Sequence, residues 1–221
     1  MHDNNKLMDS NLYNFKIQII SILFLILNLS ILWINKNIIF DTEFYYRSLQ
    51  SEISLDNIDN IILFNKKIDL FAYFILPFLL FLKWFLINLI LFITLQIFEI
   101  KITFIYCFKI VLLAEIITIT SSIVKTLYFY IYPPSNFEVL QYFNPLGVTS
   151  FFKNEIIPKY LLYPIQQLNL FELGYWLLLA YGIKSLGKVD FKKALKIISL
   201  SYGVGLAIWC IFIIFLQLQY S

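Results

Sequence analysis

Lys83, Lys109 and Glu115 are the residues of this 221-residue chain whose types and placement could do chemistry. Each lies inside a long run of Ile, Leu, Phe and Val. A lysine or carboxylate at the centre of a bilayer costs about 2.5–3.5 kcal/mol on insertion scales, so an ionisable residue there marks a functional site with a partner by default. An intramembrane cation and carboxylate can hold an ion, relay a proton or orient a polar solute. Lys83 and Glu115 are the expected pair. Lys109 precedes Glu115 by six residues, which at 3.6 residues per turn sets the two about 120° apart around one helix and makes them poor partners. In the competing reading, Lys83 and Lys109 snorkel to an interface and Glu115 is protonated or hydrogen-bonded to a neighbouring helix.

Other reactive groups carry less. The hydroxyls of Ser121 and Ser122 have no base near them in sequence except lysines, and a polar seam between helices explains them more simply. Cys107 and Cys210 both fall in apolar segments, where cysteine acts as a small hydrophobe rather than as a thiolate in an exposed, electropositive setting. The single histidine, His2, sits in the polar start and is expected to be solvated. Asp56-Asn57-Ile58-Asp59-Asn60 lacks the glycine and terminal glutamate of a calcium loop. Paired aspartates, His with Glu on one helix, and Ser with a base are all missing, so the expectation is a chain that is not an enzyme, with no catalytic, cofactor-binding or metal-binding residues. Net charge is +3, from sixteen Lys, one Arg and fourteen acids, without a basic run that resembles a nucleic-acid footprint.

Ile17–Asn35, Phe71–Ile97, Ile102–Tyr132, Phe171–Ile183 and Ala194–Leu218 are too apolar and too numerous for a soluble core. A helix rising 1.5 Å per residue needs about 20 such residues to cross a hydrocarbon layer of about 30 Å. Hydrophobic residues make up 60% of the chain and charged residues 14%, against about 25% charged in soluble domains. The expected fold is an all-α, polytopic transmembrane helix bundle of about five spans. The wealth of Ile, Phe, Asn, Lys and Tyr is also what an AT-rich genome writes, so single Asn and Tyr residues are discounted.

Residues 1–16 form a polar N-terminus and 17–35 a first transmembrane helix. That run is longer than the ~7–15 residues of a secretory apolar region and has no small-residue cleavage pattern, so it reads as retained, with Trp33 near an interface. Residues 36–69 are a polar, partly amphipathic connector, either lying on the membrane surface or packed as a solvated helix. Residues 70–218 hold about four further spans. Leu70–Ile97 reads as one long helix, tilted or kinked at Pro77. Ile102–Tyr132 is the most polar span, carrying Lys109, Glu115, Thr118, Thr120, Ser121, Ser122 and Lys125, and needs shielding by its neighbours.

The segment 132–168 holds five of the six prolines among many aromatics. It is expected to lie along the interface, dip into the membrane or cover the bundle, either gating a ligand or acting as a structural cover. Phe143-Asn144-Pro145-Leu146-Gly147-Val148 has turn chemistry, with Pro145 restricting Asn144 and Gly147 available for positive φ. Gly174, Gly182, Gly203 and Gly205 are expected at helix contacts. Lys184, Lys188, Lys192, Lys193 and Lys196 form the densest basic cluster, which the positive-inside rule makes cytoplasmic. With five spans the N-terminus is then cytoplasmic and residues 217–221 lie on the far side.

Leu168-Asn169-Leu170-Phe171-Glu172-Leu173-Gly174-Tyr175-Trp176-Leu177-Leu178-Leu179-Ala180-Tyr181-Gly182-Ile183, then Asp190-Phe191-Lys192-Lys193-Ala194 and a last apolar helix, resembles the end of bacterial YIP1-type membrane proteins. The resemblance is clearest over 168–218 and topological elsewhere. It implies a compact five-helix bundle with a cytoplasmic N-terminus. Eukaryotic members of that family are associated with vesicle traffic and small GTPases, and bacterial members have no settled activity. This chain lacks the eukaryotic N-terminal motif and the glycine-rich signatures, so the trafficking role does not carry over, and no catalytic residues come with it. The expected function is a non-enzymatic scaffold or accessory subunit in a bacterial inner membrane, with the bilayer and other membrane-protein subunits as partners. The alternative is a small transporter or permease component using Lys83, Lys109 and Glu115.

Overall fold

The computed structural model describes the backbone of residues 2–51, 53–151 and 157–219, and side chains from residue 17 onward, residue 151 apart. His2, Lys6, Lys16, Phe151, Phe152, Lys153 and the last two residues therefore lie outside the described side chains. The described chain is mostly helix: α1 (His2–Ile34), α2 (Thr42–Leu49), α3 (Leu55–Ile97), α4 (Phe104–Ile131), α5 (Phe137–Tyr142), α6 (Lys159–Gln166), α7 (Leu170–Gly187), α8 (Phe191–Ile198) and α9 (Val204–Gln219). A π turn, Asn35–Ile39, extends α1, and another, Ser199–Gly203, joins α8 to α9.

Among the described residues, four helical stretches are long and apolar enough to cross a membrane: Ile17–Ile39, Leu55–Ile97, Phe104–Ile131 and Phe191–Gln219. The expected count of about five goes one beyond this. The segment in question is α7, whose 18 residues include Glu172 and Lys184 together with Gly and Tyr, so it is shorter and more polar than the others. Large side chains on the four spans face outward, among them Phe71, Phe74 and Phe78 on α3 and Ile208, Ile211 and Phe215 on α9. In water such a surface would aggregate, and in acyl chains it costs nothing. The chain reads as an integral membrane protein.

The core lies where α4 meets α1, α3 and α7, and where α8 meets α7. Trp84, Leu91 and Leu95 from α3 pack on Cys107, Ile110, Val111 and Ala114 of α4 and on Tyr175, Leu179 and Ile183 of α7. Their spacings of three, four and seven residues place each set on one helical stripe. Close approach is required at three glycines, including Gly187 at the end of α7, where a Cβ would stand 2.8 Å from Ile100 Cγ2. A Cβ on Gly182 of α7 would stand 2.6 Å from Ile110 Cγ2 of α4, and one on Gly203 would stand 2.6 Å from the Trp176 ring. Gly205 is tight against Ile90, while Gly174 has ordinary clearance from Ile117.

The α3 helix runs unbroken through Pro77 for 43 residues, about 65 Å at 1.5 Å per residue, roughly twice the hydrocarbon thickness. It thus begins well inside the stretch read as connector, and Asp56–Asn60 is helix rather than a cation-binding loop. The polar first third of α3 extends past the bundle, and α2 packs on it through the Tyr46 hydroxyl to Asp59 and Asn65 Nδ2 to the Tyr45 hydroxyl. Lys36, after α1, pairs with Asp69 on α3, at the point where the charged part of α3 gives way to the apolar part.

The described parts of segment 132–168, residues 132–151 and 157–168, lie across the same end of the bundle. Val148 N donates to Leu168 O at 3.0 Å and Leu170 N to Leu146 O at 3.2 Å. Phe137 packs edge-on against Phe44, and Trp209 Nε1 of α9 donates to the Tyr163 hydroxyl of α6 at 2.9 Å. In the turn it is Leu146, at φ 52°, that takes the left-handed conformation, while Gly147 does not. Gly147 is instead hemmed in, since a Cβ there would stand 3.0 Å from Asn144 Cβ. The turn needs a small residue for space where the sequence pointed to backbone freedom.

Candidate functional site

Helix α3 presents Lys83 and α4 presents Glu115 to one another. Lys83 Nζ donates to both carboxylate oxygens, at 2.8 and 3.0 Å. The Glu115 side chain is 2% exposed, and that of Lys83 is 39% exposed, so the carboxylate is sealed between helices while the lysine stem lies along the outer surface. Lys109 is half-buried on α4, six residues ahead of Glu115 and ~9 Å from it along the axis. Glu115 thus pairs across to α3.

The surroundings of this pair are unusually polar for a membrane core. Asn88, one turn beyond Trp84 on α3, is fully buried, and neither amide atom has a hydrogen-bond partner among the described residues. Trp84 Nε1 and the Tyr175 hydroxyl are likewise buried without partners. The Tyr175 ring lies 5.1 Å from that of Tyr202, whose hydroxyl is beside the Glu172 carboxylate. Glu172 Oε1 accepts from Trp176 Nε1 at 2.9 Å. Glu172 itself is fixed by the start of α7, where the Asn169 side chain caps the helix by accepting from Glu172 N at 2.8 Å.

Glu172 opens onto a cavity of about 280 Å³. From α4 it is lined by Thr118, Ser121, Ser122 and Lys125, from the crossing segment by Phe143, Asn144, Gln166 and Gln167, and from the start of α7 by Asn169, Phe171 and Glu172. Polar side chains dominate this wall, unlike the mainly apolar pockets that bind most small ligands. The crossing segment is pinned there by Asn144 Nδ2 and Asn169 Nδ2, both donating to Gln166 O, at 2.6 and 2.7 Å. Phe143 stacks on Tyr128 with ring centroids 4.1 Å apart. Lys125 Nζ donates to Leu140 O at 3.3 Å and lies 5.9 Å from the Phe129 ring centroid.

Compared with protein-family models, curated proteins and solved structures, the chain matches none.

The cavity and the ion pair are neighbours. Thr118 Oγ1, on the cavity wall, donates to the Glu115 backbone oxygen at 2.9 Å. Of the sequence-derived candidates, Lys83 and Glu115 are in contact, and none of Lys83, Lys109 and Glu115 lines the cavity. Sequence reasoning grouped the charges of two adjacent spans. Lys125 and Glu172 are divided by 46 positions, and only the packing of α7 on α4 brings them to one space. Among the described residues, no three His, Cys, Asp or Glu side chains converge as metal ligands would.

Proposed function

We propose that this protein is a non-enzymatic accessory or scaffold subunit of a membrane complex, built as a five-helix, YIP1-like bundle with α7 as the fifth, least apolar span. The observation that carries the reading is that Lys83 occupies both oxygens of Glu115. A carboxylate satisfied in this way serves to hold α3 against α4 at a fixed register and has no free face to offer a passing ion. Outward apolar surface on α1, α3 and α9 gives both lipid and partner helices something to pack against. In this reading the membrane is a bacterial inner membrane, with Lys184–Lys196 and the N-terminus on the cytoplasmic side.

The test is recovery from native membranes in mild detergent. One defined complex, with no solute flux from liposomes containing the purified chain, is the expected result. A chain that stays monomeric and conducts or exchanges solutes overturns it. A reporter fused after Ser221 is expected on the non-cytoplasmic side, and a cytoplasmic signal overturns either the orientation or the fifth span. The second reading, a small transporter component, is favoured by the polar cavity beside the ion pair, and liposome flux that is lost in Glu115→Gln supports it.

A further inference from the structure

We propose that the cavity between α4, α7 and the crossing segment is a binding site for a phosphoethanolamine-type zwitterion, its phosphate toward Lys125 and its ammonium toward Glu172. The inference is independent of whether the chain acts as scaffold or transporter.

Charge placement comes first. Gly174 approaches Ile117 and Gly182 approaches Ile110, so α4 and α7 run antiparallel, and residue numbers level with one another sum to about 291. Glu172 is then level with residues 119–120, and Lys125 lies about five residues further toward the end of α4, ~8 Å along the axis. The two charges line one cavity at different depths. Among the described residues, neither has an oppositely charged group within ion-pairing distance, since the ion pairs are Lys36 with Asp69 and Lys83 with Glu115. In a medium where an unpaired charge is costly, a cation and an anion facing the same space are both satisfied by one ligand that carries both signs.

Donor supply distinguishes the ends. Lys125 uses one of its three N–H groups on Leu140 O. Ser121, one turn before it on the same face, makes no hydrogen bond within the described chain, although Ser122 and Thr118 each donate to backbone. Two ammonium protons and a hydroxyl suit an anion with several acceptor oxygens, and lysine binds phosphate as a point charge. At the other end Glu172 is oriented by Trp176 Nε1 and accepts from an ammonium. The volume of about 280 Å³ is at the low end for ligand pockets and suits a headgroup-sized molecule rather than a cofactor.

The same chemistry comes from two sources, a phosphatidylethanolamine headgroup or free O-phosphoethanolamine. The full chain, delipidated in detergent, is titrated with O-phosphoethanolamine, and in parallel is placed in nanodiscs of phosphatidylethanolamine or phosphatidylglycerol. Thermal unfolding and native mass spectrometry provide the readouts. Stabilisation by the free solute assigns a soluble ligand. Selective retention of, and stabilisation by, phosphatidylethanolamine assigns the lipid. In either arm Lys125→Met and Glu172→Gln are each expected to weaken binding at least tenfold, Lys125→Arg to keep most of it, and Glu138→Gln, on the exposed face of α5, to leave it unchanged. Lack of response to both probes in the wild-type chain overturns the proposal, as does a response that survives in folded Lys125→Met and Glu172→Gln.

Discussion

Lys83 Nζ spans both oxygens of Glu115 at 2.8 and 3.0 Å, joining the apolar part of α3 to the middle of α4. Removing Lys83 leaves Glu115, 2% exposed, without its cation in a low-dielectric setting, a change that costs about 3–5 kcal/mol at buried pairs. Lys83→Met is therefore expected to lower stability strongly in detergent unfolding assays. Replacing both, as Lys83→Met with Glu115→Leu, is expected to recover much of the loss, because two apolar side chains need no compensation in lipid. Glu115→Gln should disturb assembly or folding far more than Glu138→Gln, and equal effects would remove Glu115 from any special role.

Gly182→Ala places a methyl 2.6 Å from Ile110 Cγ2 and 2.9 Å from Ile110 Cγ1. Isoleucine is β-branched and stiff at χ1, so the helices must separate, at a cost of about 1–3 kcal/mol for overpacking. Gly174→Ala, with 3.5 Å of clearance from Ile117, is expected to be near neutral. Comparing their denaturation midpoints checks whether α7 and α4 cross most tightly at Gly182, and a larger loss at Gly174 would contradict this packing.

Lys188 follows Gly187 and closes α7 in the left-handed region, at φ 50° and ψ 40°. A side chain with a Cβ is strained there by roughly 1 kcal/mol relative to glycine. Lys188→Gly is expected to stabilise the chain by up to that amount, measured as a rise in unfolding temperature. A Lys188→Ala control separates the loss of charge from the relief of the backbone.

Lys36 and Asp69 pair with side chains 22% and 35% exposed, well beyond the exposure of Glu115. Asp69→Asn is accordingly expected to cost less than about 1 kcal/mol, with an effect that shrinks as ionic strength rises. The Lys83–Glu115 variants should be nearly insensitive to salt. A salt response of the same size at both pairs would place Glu115 in contact with water.

The sequence by itself determined the solvent and the helices. Runs of Ile, Leu and Phe longer than a soluble core element leave only lipid as a medium, and in lipid every backbone group must bond internally, so the runs are helical before any packing is known. It also singled out Lys83 and Glu115, because charge inside such a run is conspicuous, and the structure brings these two into contact. Local chemistry was less informative about lengths and turns. Helix α3 begins fifteen residues before residue 70, since polar and apolar stretches share one continuous helix. Leu146 rather than Gly147 takes the positive φ, since the contacts of the crossing segment outweigh residue preference.

Tertiary structure alone decided that Lys125 and Glu172 line the same cavity. Their meeting depends on the antiparallel register of α7 against α4, which is set where Gly182 lets Ile110 approach, and on a proline-rich segment folded back to close one wall. Register between helices distant in sequence is a property of interlocking shapes, so it has no signature in composition or periodicity and emerges only when the surfaces are packed together.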